Sequence, residues 1–327
     1  MAKVNTEFWD TFAAMLNSSL MQRALIIAVL VGTAAPVIGT YLVQRRLALL
    51  GDGIGHVALT GVAMGWLAGA AAGSDSVEVW AVPGAIIASI AGALLIEYVR
   101  EKGKSSADVA LALLFYGGIA GGVLLIGFAG GTSANLTGYL FGSISTVDQL
   151  DVWLTVGLSA LILGVGLGLR PALFALCNDE EFARASGLPV RALNILVAVT
   201  AALTVAISMR VVGVLLVSAL MIVPVAIAQL IATSFRNTMG LAMGIGGTVC
   251  VMGLSITYFY PLSPGAMITV LSIGFYALLA VLLPMIRPSD RRANPHKAEG
   301  GTSRIEEGMM SHAHHPSAHR THGPTAK

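Results

Sequence analysis

Residues 45–61 read RRLALLGDGIGHVALTG, which places one acid and one histidine at the start of an apolar run. Asp52 and His56 are four residues apart, so in a helix their side chains share a face and one cation can contact both. A carboxylate with an imidazole suits zinc, manganese or ferrous iron, whereas copper(I) prefers sulfur ligands. The alternative is structural, with Asp52 as a helix cap and His56 as an interfacial histidine bonded to backbone.

The composition of the whole chain indicates a polytopic membrane protein. Hydrophobic residues make up 56% of the 327 and charged residues only 11%, a balance that excludes an ordinary soluble domain. Uncharged runs of the length that crosses a bilayer recur on both sides of the quoted stretch. They lie at 24–44, 53–74, 79–96, 109–129, 152–169, 192–209 and 211–235, with two more in 237–286 separated by a turn at 260–265. We therefore predict an all-α fold with about nine transmembrane helices.

Three other segments are predicted not to cross the membrane. Residues 5–18 carry bulky apolar side chains at helical spacing, which indicates an interfacial helix within an N-terminal segment 1–19. Residues 130–151 are polar and glycine-rich and favour a short re-entrant helix. The tail 287–327 has no apolar periodicity and is expected to be disordered and cytoplasmic. The transmembrane domain is therefore predicted to be residues 20–286.

The distribution of Lys and Arg predicts an orientation in the membrane. Most of these residues occur in the loops at 45–52, 97–108, 170–191 and 236 and in the C-terminal flank. The alternate loops, at 75–78, 130–151 and 260–265, hold none, and between the predicted spans Arg210 is the exception to the pattern. Because positive loops stay in the cytoplasm, we expect the N-terminus outside and the C-terminus inside.

Motifs for nucleotide binding or hydrolysis are not found in the sequence. Gly103-Lys104-Ser105 resembles the end of a phosphate-binding loop, but the glycine required five residues before Gly103 is Tyr98. The preceding segment is also a predicted membrane helix rather than a strand. Energy for any transport is therefore expected to come from another subunit.

The quoted stretch and several later segments resemble a known family. The residues Tyr41-Leu42-Val43, Arg45-Arg46, Gly51-Asp52, His56, Leu59 and Gly61 resemble the signature of the zinc/manganese/iron ABC-importer permeases, the ABC-3 family. Further matches are Gly138 to Ser143, Ala185 to Val190, Val212 to Val217 with Pro224, and Ser263 to Ala266. The resemblance covers roughly residues 20–286. Gly55 and Thr60 depart from it, since the family usually has Ser and Pro at these positions, but the Asp52–His56 pair is intact.

The resemblance implies a permease with the architecture of the cobalamin-importer type, forming a homodimer in the bacterial cytoplasmic (inner) membrane. Two cytosolic ABC ATPase subunits would hydrolyse ATP and an extracytoplasmic metal-binding protein would deliver the ion, so this chain is expected not to be an enzyme. Zinc is expected first as the transported ion, with manganese or iron second, and neither a permanent cofactor nor nucleic acid is expected. On a dimer axis, two copies of Asp52 and His56 would complete a four-ligand site.

The resemblance also implies a function for the charged segment Asp179–Arg191. It would be the coupling segment that docks in a groove of the ATPase, and its acid cluster followed by Gly-Leu-Pro predicts a short exposed helix that ends abruptly. The residues implicated are Asp179, Glu180, Glu181, Arg184, Gly187 and Pro189. From the pattern alone, the segment is only a charged cytosolic loop.

Five histidines lie close together in the tail, at His312, His314, His315, His319 and His322. Neutral imidazoles bind zinc and similar ions, so the cluster is a candidate for weak cytosolic metal binding. The alternative is an unselected polar tail.

Two other classes of membrane protein are alternatives to an ABC permease. An ATPase-independent metal channel or secondary transporter usually carries several ionisable residues within its spans, and the predicted spans hold almost none. A structural or receptor protein would need neither the Asp52–His56 pair nor a coupling segment.

Overall fold

In the computed structural model, the described residues are 14–74, 76–102, 107–130, 133–144, 147–260 and 262–286. Within these ranges the regular structure is helical, without β-strands. The α-helices in chain order are α1 (Ser19–Gln44), α2 (Leu50–Ala71), α3 (Ala81–Lys102), α4 (Ala107–Phe128), α5 (Ser133–Phe141), α6 (Gln149–Gly168), α7 (Arg170–Asn178), α8 (Glu180–Ala185), α9 (Val190–Ser208), α10 (Val214–Ile231), α11 (Phe235–Phe259) and α12 (Pro264–Ile286). A short 3-10 helix, Val77–Trp80, precedes α3.

Nine of these helices, all except α5, α7 and α8, are long and apolar enough to cross a membrane in the part of the chain described. This agrees with the predicted number. In lipid, each apolar run must satisfy its backbone hydrogen bonds within itself, and an α-helix does so.

The core of the bundle is built from α1, α2, α9 and α10. Helices α1 and α9 are mostly buried within the chain, whereas α4 is mostly exposed. Helix α2 packs against α3, α4 and α10, and α1 packs against α6, α10 and α11. Helix α9 crosses α1, α2 and α3. The helix that carries Asp52 and His56 is therefore enclosed on several sides.

Glycines bring α3 and α4 close to α2. A Cβ atom on Gly61 would overlap the carbonyl oxygen of Gly84, so the backbones of α2 and α3 touch at this point. A Cβ on Gly118 of α4 would lie only 2.6 Å from the carbonyl carbon of His56. Small residues at these crossings permit the close helix packing that stabilises membrane bundles.

Two polar segments within residues 20–286, 130–151 and 170–191, contain short helices instead of long apolar ones. Residues 130–151 contain the short helix α5, as predicted. The segment 170–191 contains two short helices: α8, which the acid cluster and Gly-Leu-Pro predicted, and α7, which was not predicted. Pro171 at the first turn of α7 starts one helix, and the side chain of Asp179 caps the next.

Several predicted features lie outside the described residues. They include most of the N-terminal segment 1–19, the Gly103-Lys104-Ser105 sequence and the whole tail with its five histidines. Residues 281–327 form a separate unit, of which 281–286 are described as the end of α12. The predictions for these regions stay predictions.

Candidate metal site and coupling segment

Asp52 and His56 lie on successive turns at the start of α2. Helix α2 begins at Leu50, so Asp52 is in its first turn, where a carboxylate interacts favourably with the helix dipole. Oδ1 of Asp52 is 3.8 Å from Nε2 of His56. The spacing in the sequence thus places the two side chains on one face, as predicted.

Asp52 is partly accessible and has a partner on another helix. Its side chain is 27% exposed, and Ser218 of α10 donates a hydrogen bond from Oγ to Asp52 Oδ1 at 3.2 Å. The N-cap residue of α2 is Leu49, without a side-chain capping bond, so Asp52 is not the cap that the structural alternative required. Ser218 was not identified from the sequence, although it lies within the matched segment that ends at Pro224.

His56 is buried and incompletely bonded. The residue is 1% exposed, and its ring packs edge-on against Phe115 of α4, with ring centroids 4.2 Å apart. Its Nδ1 atom has no hydrogen-bond partner among the described residues, so the backbone partner expected in the structural alternative is not observed. A buried polar atom without a partner is costly, and such atoms are common where a ligand or water binds.

The pair can hold a divalent ion, but only with additional ligands. Two bonds of about 2.1 Å reach across about 4.2 Å at most, so atoms 3.8 Å apart can contact one ion. The described residues contain no group of three or more His, Cys, Asp and Glu side chains arranged to hold a metal. The ion would therefore keep water molecules in its shell, as suits a site from which it must leave.

The two-fold site expected from the sequence stays a prediction, although His56 is buried within its own chain. That site requires both imidazoles to face a neighbouring copy of the chain, yet the side chain of His56 is only 2% exposed. The cause is α4, which packs over it through Phe115 and Gly118. Within a single chain, the donors that share one space are Asp52, His56 and Ser218.

The candidate coupling segment forms a short, strongly capped helix. Oδ1 of Asp179 accepts hydrogen bonds from the backbone N–H groups of Glu181 and Phe182, both at 2.9 Å. The helix ends at Gly187, whose φ of +80° is a left-handed conformation that favours glycine. Pro189 then directly precedes α9. The aromatic ring of Phe182 is 65% exposed on this helix, a feature that the charge-based interpretation missed.

Arginines surround Glu180 at the start of α8. Its carboxylate lies 3.4 Å from Arg184, 3.5 Å from Arg45 and 3.9 Å from Arg100. Arg100 also pairs with Glu97 at 3.0 Å. These contacts bring the ends of α1 and α3 to the coupling segment. We call these five residues the arginine cluster.

A cavity of about 1000 Å³ opens beside the arginine cluster. It lies between the end of α3 and the start of α9, and its lining includes Tyr98, Asn194 and the ion pair Arg191–Glu101. Helix α8 therefore borders open space on this side.

The opposite end of the bundle has a different polar feature. Arg210, in the turn between α9 and α10, pairs with Asp151 of α6 at 3.1 Å, and both side chains are nearly buried. The carbonyl of Arg210 also accepts a hydrogen bond from the backbone N–H of Ser143 at 3.0 Å. Arg210, the exception to the charge pattern, is thus neutralised by a carboxylate that the sequence interpretation did not connect with it.

The fold and these sites define the membrane-embedded permease subunit of a transporter. The chain belongs to the ABC 3 transport family, whose model matches residues 17–283. This confirms the family predicted from the 45–61 stretch, that of the zinc, manganese and iron ABC-importer permeases.

Two relatives and one solved structure illustrate the similarity. The manganese transport system membrane protein MntC of Halalkalibacterium halodurans is 30% identical, over 84% of this chain and 90% of the relative. The manganese import system permease protein ScaB of Streptococcus parasanguinis is 30% identical, over 89% of this chain and 99% of the relative. PsaBC from Streptococcus pneumoniae, solved in complex with a Fab, has a TM-score of 0.73 at 30% identity and covers 83% of this chain and 95% of that one. The predicted all-α permease fold is confirmed.

Proposed function

We propose that this chain is the permease subunit of an ABC importer for manganese(II). The observation that carries the proposal is the Asp52–His56 pair, with Ser218, enclosed at the start of a core helix in a family of metal-importer permeases. Zinc was expected first from the sequence, but the two relatives described above are both named for manganese. Zinc and iron(II) are the alternatives within the same family.

The donor set agrees with manganese. Carboxylate, hydroxyl and water oxygens suit Mn²⁺, and one imidazole nitrogen adds a moderately soft ligand. Neither cysteine supplies a thiolate to the site. The thiol of Cys177, on α7, donates a hydrogen bond to the Tyr41 carbonyl oxygen, and Cys250 is buried beside Gly32. Mn²⁺ binds most weakly in the series of divalent first-row metals, so a site of two strong donors plus water would release it readily.

The proposed assembly assigns partners to the surface beside α8. We propose that the exposed Phe182 and the charged residues around it dock in a groove of a cytosolic ATPase, one for each permease of a homodimer. An aromatic side chain exposed on a short helix is typical of a residue that anchors an interface. An extracytoplasmic metal-binding protein would deliver the ion at the opposite end.

The proposed orientation puts the arginine cluster on the cytoplasmic side. Its support is the positive-inside distribution together with the contacts of Arg45 and Arg100 with α8, which place these basic residues at one end. A cysteine at Ser263 should react with an impermeant maleimide in sealed cells, and a cysteine at Arg184 should react only after permeabilisation. Labelling of the Arg184 position in sealed cells would reverse the orientation.

The metal assignment is tested by uptake in cells that lack their own manganese and zinc importers. The permease, its ATPase and its binding protein are expressed together, and uptake of radioactive manganese is measured with increasing unlabelled zinc or iron(II). We expect manganese uptake that requires an ATPase able to hydrolyse ATP. Uptake of zinc without manganese would replace the metal. Manganese uptake that continues with an inactive ATPase would favour the channel or secondary transporter.

A further inference from the structure

Arg45 lies where the turn before the candidate metal site meets α8. It follows α1 directly, seven residues before Asp52, and its side chain is only 6% exposed. Charged side chains are rarely buried unless they are paired, and the partner on α8 is Glu180 at 3.5 Å. The Arg45–Glu180 ion pair therefore connects the coupling segment with the turn that leads into α2.

The turn between Arg45 and α2 has a fixed conformation. Arg46 has a φ of +59°, which is unusual for a residue with a side chain. The backbone N–H of Leu47 donates to the carbonyl of Leu42 at 2.8 Å, and that of Leu50 donates to Leu47 at 3.0 Å. A displacement of Arg45 is thus passed to the first turn of α2, which holds Asp52, rather than absorbed by a loose loop.

Glu180 is one of the carboxylates that offset the unfavourable electrostatics of the buried Arg45. Burial lowers the pKa of the Arg45 guanidinium, and the neighbouring positive charge of Arg100 lowers it further. The carboxylates of Glu97 and Glu180 act in the opposite direction. If α8 moved away with Glu180, Arg45 and Arg100 would lose a carboxylate that they share, and their mutual repulsion would be less well offset.

Helix α8 is also connected to the core of the bundle through its packing on neighbouring helices. Helix α8 packs on α7 and α9, and α9 in turn packs on α1 and α2. Among the connections from α8 towards the metal site, one runs through packing on α9 and another through the Glu180–Arg45 pair.

We propose that Arg45 is a positioning residue that transmits the movement of α8 to Asp52 and His56 through its ion pair with Glu180. The proposal rests on the proposed function, because it needs an ATPase that docks at α8. Arg45 does not contact the ion. It sets where the first turn of α2 lies when the ATPase changes state, so that ATP hydrolysis opens or closes the Asp52–His56 pair.

The test uses the complete importer reconstituted in vesicles, with manganese uptake and ATP hydrolysis measured on the same preparation. Arg45→Gln should lower manganese uptake per ATP hydrolysed by about tenfold while ATPase co-purification stays unchanged. Glu180→Gln should lower uptake per ATP by a similar factor, measured on the complexes that retain their ATPase because Glu180 also lies in the docking segment. The double variant should be no worse than either single variant, since both remove one link. Arg45→Lys, which keeps the charge, should restore part of the uptake.

A matched control lies on the same surface. Glu101 of α3 pairs with Arg191 beside the same cavity and lies outside the segment proposed to dock, so Glu101→Gln should leave uptake per ATP unchanged. Melting temperature separates misfolding from uncoupling. If Arg45→Gln does not fold, Glu180→Gln decides the question, because Glu180 is 39% exposed and is tolerant of substitution.

Three results would contradict the proposal. Normal coupling in both single variants overturns it and leaves the proposed function standing. Additive losses in the double variant show that the two residues act through separate routes. A wild-type complex that imports no metal overturns the proposed function and this inference with it.

Discussion

The two ends of the helical bundle are held together by different means. At one end, the arginine cluster joins α1, α3 and α8 through ion pairs beside a cavity of about 1000 Å³. At the other end, backbone segments meet at three glycines, Gly142, Gly213 and Gly265. The charged pair near them, Arg210 with Asp151, is nearly buried. We call the first the charged end and the second the glycine-packed end.

The difference predicts which end moves more easily. Glu180 and Arg184 of the arginine cluster are 39% and 69% exposed, and such charges exchange partners and water at little cost, whereas a close backbone contact has one geometry. A Cβ on Gly213 would overlap the carbonyl of Leu140, and one on Gly265 would overlap the carbonyl of Val212. The Asp52–His56 pair lies at the start of α2, on the side of the charged end. In the proposed mechanism, a movement that begins at α8 would therefore reach the candidate metal site before it reaches the glycine-packed end.

The largest expected effect is the loss of a glycine at the glycine-packed end. Gly213 has a φ of +86°, and its Cβ would also lie 2.5 Å from the backbone nitrogen of Gly142. We expect Gly213→Ala to lower the free energy of unfolding by about 4 kcal/mol, because backbone strain and overpacking add. Thermal unfolding in detergent measures the change.

The control for this variant is a glycine in open space. A Cβ on Gly274 of α12 would have nothing within 4 Å, so Gly274→Ala should leave the melting temperature nearly unchanged. Equal effects of the two substitutions would show that the glycine-packed end is not rigid.

A smaller effect separates the two ends by their ion pairs. Asp151→Asn leaves a nearly buried Arg210 without its carboxylate, and we expect a loss of about 3 kcal/mol in the free energy of unfolding. Glu101→Gln breaks the pair with the 82% exposed Arg191, and we expect less than about 1 kcal/mol. Both changes replace a carboxylate by an amide of the same shape, and the loss at Asp151 also includes any weakening of the hydrogen bond that its Oδ2 accepts from the backbone N–H of Asp148. Similar losses in the two variants would show that ion pairs at the charged end and at the glycine-packed end contribute equally to stability.

Much of the fold follows from the sequence because lipid leaves few choices. Uncharged runs predict spans, and the nine helices of the described residues follow them closely. The segment 170–191 was predicted in part, since the short helix capped by Asp179 was expected and the one that starts at Pro171 was not.

The site was only partly predictable. The i, i+4 spacing correctly places Asp52 beside His56, because that relation is local to one helix. The bond from Ser218, the cover of Phe115 over His56 and the pairing of Glu180 with Arg45 join residues that are 59 or more positions apart. No periodicity in the sequence records such contacts, which arise from how the helices cross.

Uptake of radioactive manganese by Asp52 and His56 variants tests the central claim most directly. The rate is measured per folded transporter in the complete importer, with ATPase activity and melting temperature followed in parallel. We expect His56→Ala and Asp52→Asn each to reduce uptake at least about tenfold, a loss typical even of residues that only orient a metal ligand. Both variants should keep their melting temperature within a few degrees of the wild type. Normal manganese uptake in both variants would contradict the claim that this pair contacts the ion.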